Sequence, residues 1–502
     1  MMIIPVLMLA CSRPDPPLDS ADTGRGTAGP ECVPADEVPG NGRDEDCDGH
    51  DGTVVEAAVS MRLTIVGHEA ATTTGRAVGC AAFPVGDFPT AIAIGAPELY
   101  KGDTSGPGIA AVFGGDASGS VGLLDAPFVL TGGLPNMIGE SAVGFARDLD
   151  GDGVGELIVS SETAHIQVPG AWTDTLTGAI HIQPPRNGSV EALDAEVIVT
   201  AEPNQMAGAG RSLGDLDGDG RDELLAAETT WNYLDTPGTL VVLPGASLGR
   251  LTLLEDAPTR VGFPDRATPT AVSAVVADLD ADGNPDVAVA EYAWENRGRV
   301  IVLHGPLLGA PAIDLSDGVI EGRGQGDEDN AETGVHLAAG DLNGDGLADL
   351  VVGAHTQWLG ASVRNGAAYV FFGPVTGVRT VDDADITLVG EGAFAWMGAG
   401  VAVIDHDGDG NADLAVGAPS DIYLGPPRPG LVYVFHGPLG SGPLEATAAD
   451  LVLRGVEAND LFGWALAGCD LDGDGAEELV VGAPGTADGM LAAGRAFVFP
   501  GG

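Results

Sequence analysis

Short apolar, β-branched runs recur along most of this chain, among them Ala91 to Pro97, Glu156 to Ser160, Asp349 to Gly353, Leu479 to Gly482 and Arg495 to Phe499. Runs of this length, bounded by Gly, Asp and Pro, read as strands. An Asp-rich nonapeptide, D-x-[DN]-x-D-G-x-x-[DE], stands just before such a run six times, at intervals of 63 to 67 residues. The nonapeptides begin at Asp148, Asp215, Asp278, Asp341, Asp405 and Asp470. A fixed period of that size marks a propeller or an array. One period before Asp148, Ala77 to Ala82, Ala91 to Pro97 and Gly108 to Gly115 form a seventh unit, in which Cys80, Phe83 and Val85 stand where carboxylates would be needed. The expected fold is therefore all-β: a seven-bladed β-propeller with calcium loops in six blades. Strand content puts the blades at roughly 68–134, 135–200, 201–255, 256–320, 321–388, 389–453 and 454–502.

Each nonapeptide places oxygens at positions 1, 3, 5, 7 (a backbone carbonyl) and 9, a set of hard ligands that suits calcium. The candidate ligands are Asp148, Asp150, Asp152, Val154 and Glu156, then Asp215, Asp217, Asp219, Arg221 and Glu223. Asp278, Asp280, Asp282, Asn284 and Asp286 form the third set, and Asp341, Asn343, Asp345, Leu347 and Asp349 the fourth. The last two sets are Asp405, Asp407, Asp409, Asn411 and Asp413, and Asp470, Asp472, Asp474, Ala476 and Glu478. Two such carboxylates about 4 Å apart would repel by about 4 kcal/mol at an effective dielectric of about 20, a penalty that a divalent cation removes. Glycine at position 6 lets the backbone turn where a Cβ would be strained. The segment after each loop is strand-like rather than helical, which excludes an EF-hand. Asp and Gly also dominate plain solvated turns, but six loops in phase favour calcium.

The last repeat shows the whole unit: Leu451-Val-Leu-Arg-Gly455, Phe462-Gly463, Ala465 to Cys469, the acidic loop, Leu479-Val-Val-Gly482-Ala483-Pro484, and Arg495 to Gly501. The Gly-Ala-Pro element returns at Gly95 to Pro97 and Gly417 to Pro419, with Gly353-Ala354-His355 a near match. This arrangement resembles the FG-GAP repeat of the integrin α-subunit head, in which a calcium loop joins the first two strands of each blade. The resemblance covers residues 61 to 502, although Phe-Gly is intact only in the last repeat. It implies a cell-surface binding or adhesion module. Each repeat opens with the outermost strand of the previous blade, so the chain ends with blade 7 one strand short. The strand-forming run Val54 to Val66 is expected to complete it. Cys80 and Cys469 would then be neighbours across the seam, either as a disulfide or as two buried thiols. In blades 1 to 6 the connection between second and third strands carries an aromatic residue: Tyr100, Trp172, Trp231, Trp294, Trp358 and Tyr423. In the integrin-like arrangement these lie opposite the calcium loops, either as ligand anchors or as covers over their own blades.

The formal charge is −53, with 74 acidic residues against 21 Lys and Arg. Of the acidic side chains, 23 occupy ligand positions, and six calcium ions would still leave about −41. Nucleic acid and anionic membrane surfaces are thus excluded as electrostatic partners. The apolar start ending in Met8-Leu9-Ala10-Cys11 resembles a bacterial lipoprotein signal, with Cys11 as the lipidated residue, although no basic residue precedes it. Residues 1–11 are thus a signal, 12–30 a flexible tether, 31–52 a Cys- and Asp-rich motif and 54–502 the propeller. In the motif, Asp44, Asp46, Asp48 and Asp51 either hold a metal or line a turn stapled by Cys32 and Cys47.

Signals for catalysis are weak. Gly245-Ala-Ser247-Leu-Gly249 matches the nucleophile-elbow string, but a strand is expected at Leu251 to Leu254 where an elbow needs a helix. The nine histidines are scattered, and His304 and His436 sit in repeated H-G-P-L turns. The sequence points to an exported, monomeric binding module for a glycan or surface protein and not to an enzyme. The alternatives are an exported hydrolase on a propeller scaffold and a purely structural envelope protein.

Overall fold

The computed structural model describes residues 53–56, 61–67, 73–97, 108–132, 143–161, 177–201, 205–230, 239–262, 273–291, 294–308, 318–323, 331–359, 364–420, 428–487, 490–491 and 493–502. The expected lipidation site Cys11, the Cys32 and Cys47 pair and the Asp44 to Asp51 motif lie outside them.

A strand buried on both faces reads as a continuous apolar run, and such runs form the second strand of every blade: Ala91–Ala96, Glu156–Ser161, Leu224–Thr230, Asp286–Glu291, Asp349–Ala354, Asp413–Ala418 and Glu478–Ala483. Each pairs antiparallel with an inner strand. The inner strands are Ala77–Ala81, Val143–Ala146, Gln205–Ser212, Ala274–Ala277, Leu337–Gly340, Val401–Ile404 and Ala465–Cys469. A third and a fourth antiparallel strand complete each sheet, giving seven blades. No α-helix occurs among the described residues. Seven apolar clusters lie between successive blades, each drawing on two neighbours; Leu157 and Val159 of blade 2, for example, pack with Ala93 and Val112 of blade 1. The hydrophobic core is therefore a ring of seams.

Three features depart from the expected strand plan. Thr259–Gly262 pairs with Thr239–Leu243, so it completes blade 3 rather than opening blade 4. Most blades also carry a fifth, parallel edge strand donated by the next blade: Gly188–Glu191 on blade 1, Leu251–Leu253 on blade 2, Gly377–Thr380 on blade 4 and Gly442–Leu444 on blade 5. One turn of 3-10 helix with a buried first residue (Ala192, Leu254, Val381, Ala446) then returns the chain to its own blade.

The third departure is at closure. Leu63–Val66 pairs antiparallel with Arg495–Phe499 and completes blade 7, as expected. Thr53–Glu56, at the start of the same run, instead pairs parallel with Leu451–Arg454 at the edge of blade 6. Gly119–Gly122 in turn adds the parallel edge strand to blade 7. The exchange pattern thus continues around the ring: Leu63–Val66 and Gly119–Gly122 are the fourth and edge strands of blade 7, and Thr53–Glu56 is the edge strand of blade 6. Cys80 and Cys469 are joined by a disulfide across this seam, with Cα atoms 6.2 Å apart.

Candidate metal centre

Each acidic nonapeptide joins the inner strand of a blade to its second strand, and all six make one hydrogen-bond pattern. The position 1 aspartate accepts the N–H of the position 6 glycine at 2.8–3.2 Å. That glycine has φ between +82° and +100°, a region closed to most side chains. The position 5 aspartate accepts the N–H of position 7 at 2.7–3.0 Å. The position 9 carboxylate reaches back to the N–H of position 2 at 2.7–3.0 Å. These bonds make the carboxylates converge, and in five of the six loops the second oxygen of the position 1 aspartate also accepts an N–H from within the loop.

In four loops that convergence is tight: Asp148, Asp150, Asp152 and Glu156; Asp215, Asp217 and Glu223; Asp278, Asp280 and Asp282; Asp405, Asp407 and Asp413 each bring oxygens within 4.8 Å of one another. Position 9 is buried in all six loops. Burial pushes the Glu156 carboxyl up to about 8, and repulsion from Asp150, Asp148 and Asp152 adds to it against the opposing Leu149 N–H. Burial raises Glu223, Asp286, Asp349, Asp413 and Glu478 as well. Glu156 Oε1 and Asp405 Oδ1 are buried without a hydrogen-bond partner. Such oxygens are costly unless something positive meets them, and clustered carboxylates with a backbone carbonyl are the donors a hard divalent cation takes. The residues fit calcium, which would supply charge neutralisation and hold both ends of the loop.

The loops differ in what meets position 9. Asp286, Asp349 and Asp413 accept the N–H of Gly305, Gly373 and Gly437 on their second oxygen at 2.7–2.9 Å. His304 and His436, read from sequence as turn residues, stand beside the position 3 aspartates: His304 Nδ1 is 3.4 Å from Asp280 and His436 Nδ1 is 3.3 Å from Asp407. Their recurrence in H-G-P-L was the available signal. In blade 7, Arg62 lies 2.8 Å from Glu478 Oε1 and 3.5 Å from Asp472. Neighbouring loops also touch, since Asp222 N–H donates to the Asp148 carbonyl and Glu477 N–H to that of Asp405, both at 2.7 Å.

Of the aromatic connections, Tyr100, Trp172, Trp231 and Tyr423 lie outside the described residues. Trp294 and Trp358 are half-buried. Trp294 lies beneath two guanidinium groups, Arg297 at 4.3 Å and Arg299 at 4.5 Å, within cation–π range. Ser247 shows no elbow geometry: Gly245–Ser247 is a 3-10 turn leading to the strand Leu251–Leu253, and Ser247 Oγ donates to the Pro244 carbonyl at 2.7 Å.

A ring of seven β-blades with an acidic loop between the first two strands of six of them defines a propeller of the integrin α type. The FG-GAP repeat matches residues 333–371, 397–435 and 462–499, and an FG-GAP-like repeat matches residues 215–289. The chain carries FG-GAP repeats within a seven-bladed propeller. It is 34% identical over 201 residues to the phosphatidylinositol-glycan-specific phospholipase D of Rattus norvegicus, covering 38% of this chain and 24% of that protein. The human protein of the same name is 32% identical over 221 residues, 41% of this chain and 25% of its own length. Integrin alpha-PS2 of Drosophila melanogaster is 33% identical over 225 residues, 42% of this chain and 15% of its own. The matches thus span about a quarter or less of these relatives. The sequence-based expectation that the chain is not an enzyme is overturned by the phospholipase relatives, whose matches cover 38–41% of this chain.

Proposed function

We propose that the chain is an exported, calcium-stabilised propeller that binds a glycan or protein at a cell surface. The observation that carries this reading is the sixfold acidic loop, with its backbone cradle and its buried position 9 carboxylates. Calcium in the loops fixes the rim where inner and second strands meet, and the opposite face, with the Trp294 and Trp358 connections, is left to the ligand. Residues 12–30 act as the tether and Cys11 as its lipid anchor. The test is a glycan and surface-protein array run with calcium and with chelator. Capture that depends on calcium, and that is lost on replacing Trp294 and Trp358 by Ala while the calcium-dependent melting shift persists, supports the reading; calcium-independent capture, or none, overturns it.

A second reading rests on the phospholipase relatives. Here the chain takes part in hydrolysis of a phosphatidylinositol-glycan anchor, with the propeller positioning the substrate. Release of a glycan-anchored reporter protein from vesicles by the purified chain supports it; release no faster than the uncatalysed rate overturns it.

A further inference from the structure

The inner strands of all seven blades enclose a cavity of about 320 Å³ on the ring axis. Its lining contains Arg76, Arg211 and His336 and no Asp or Glu among the described residues. Acidic residues outnumber Lys and Arg 74 to 21 in this chain, so a cavity with two arginines and no carboxylate inverts the charge of the rest of the molecule. We propose that the central channel binds an oxyanion, with the Arg211 guanidinium as its principal ligand and Arg76 as the second.

Arg211 carries the argument. Its Nε is buried and has no hydrogen-bond partner among the described residues. The polar groups beside it are committed elsewhere: Ser212 Oγ donates to Asp222 at 2.7 Å, and Ser160 Oγ accepts the Gly210 N–H at 2.8 Å. A guanidinium stays protonated at any ordinary pH, and a buried charge without a counter-charge is expensive. An oxyanion offers what is missing, because the guanidinium fork matches two oxygens of a phosphate, sulfate or carboxylate group.

The surroundings agree. Arg76 is stacked over Trp464 at 4.3 Å, which fixes its guanidinium at the cavity wall. Trp464 is braced in turn by His355 and Trp396, with ring centroids 5.9 and 6.1 Å away. His336 Nδ1 is buried and unpartnered as well. The charges of Arg211 and Arg76 both act on this imidazole, and with burial as the larger cause they hold it neutral. Arg211 therefore brings the uncompensated positive charge to the space between blades 1, 3 and 5, while Arg76 also acts on the Glu332 carboxylate. The cavity admits a free inorganic oxyanion or the anionic end of a small organic phosphate.

Calorimetric titration of the whole chain in calcium with sulfate, and separately with glycerol 3-phosphate, tests this at constant ionic strength against chloride. The expected result is saturable binding of at least one probe with a Kd below about 1 mM, a weak ion-pair affinity by the usual relation of affinity to free energy. A tighter Kd for glycerol 3-phosphate assigns the site to an organic phosphate, and equal values assign it to the inorganic ion. Arg211→Gln should weaken binding at least tenfold and leave the calcium-dependent melting shift in place. Arg211→Lys keeps the charge, loses the fork and should weaken binding several-fold; it serves if the Gln variant does not fold. No saturable heat with either probe, or undiminished binding by a folded Arg211 variant, overturns the proposal.

Discussion

Blades 1 and 2 are built on the same strands yet join the first to the second by opposite means. In blade 1 the turn between Ala77–Ala81 and Ala91–Ala96 is apolar: Val85 and Phe88 exchange both backbone hydrogen bonds, at 2.8 and 2.9 Å, and both side chains are buried. In blade 2 the same place is taken by Asp148, Asp150, Asp152 and Glu156. The two turns touch, with Gly86 N–H donating to the Gly155 carbonyl at 3.1 Å. The rim of each blade must be filled for the hairpin to hold its angle. A hydrophobic plug does this with no help from solution, whereas on the proposed function an acidic loop makes the same fold conditional on a cation.

The largest expected effect breaks the apolar side of the comparison. Phe88→Ala should cost about 3–5 kcal/mol, the usual range for a buried Phe, and the loss should be equal with calcium and with chelator, as read by denaturant unfolding in the two conditions. Next is an acid sensitivity that blade 2 carries independently of its loop. His181 on Ala179–Gln183 is fully buried with Nδ1 2.9 Å from the Ala192 carbonyl, and burial pushes it down to about 4. An unfolded histidine titrates near 6.5, so the unfolded state takes up the proton first and stability falls as pH drops from about 6.5 toward about 4, by roughly 3 kcal/mol in total. Over that window His181→Leu should lose less stability than wild type by about that amount, the loss that remains coming from His336, His355 and His406, which burial also pushes down.

A smaller effect separates the loop from its ion. Glu156→Gln should lower the calcium-dependent stabilisation by about 0.4–1.4 kcal/mol, the amount one site contributes at about 1 mM calcium if its Kd is about 10⁻⁴ to 10⁻³ M. In chelator the same variant should be more stable than wild type, because the ion-free fold buries a carboxylate it would rather protonate. The smallest effect concerns blade 7, whose loop holds Arg62 against Glu478 and Asp472. Arg62→Gln should tighten calcium binding there by several-fold, seen as loss of the weakest phase in a calcium titration; an unchanged titration would show that the guanidinium does not compete.

The six loops, the ring of seven and the closing strand were legible because each rests on residues close in sequence: a nonapeptide, a run of β-branched residues, a period. The adjacency of Cys80 and Cys469 came from the ring itself. The exchanged edge strands were not legible, since Gly119–Gly122 and Gly188–Glu191 are short, mixed and largely exposed and pair with another blade. The single run Val54 to Val66 hid two strands with different partners for the same reason. Arg62 in the blade 7 loop and the convergence of Arg76, Arg211 and His336 join residues far apart in the chain, and nothing in local spacing announces them. The aromatic connections were legible as a repeated position, but the two guanidinium groups over Trp294, from Arg297 and Arg299, were not.

The central claim is that the acidic loops make this propeller conditional on calcium. Thermal unfolding of the whole chain at about 1 mM calcium and again in excess chelator, paired with a calorimetric count of bound ions, tests it most directly. The account predicts close to six ions per chain, with the blade 7 site weakest, and a melting temperature that falls by several degrees or more in chelator, as several kcal/mol of summed site binding requires. A melting temperature indifferent to chelator, with no heat of calcium binding, would contradict it.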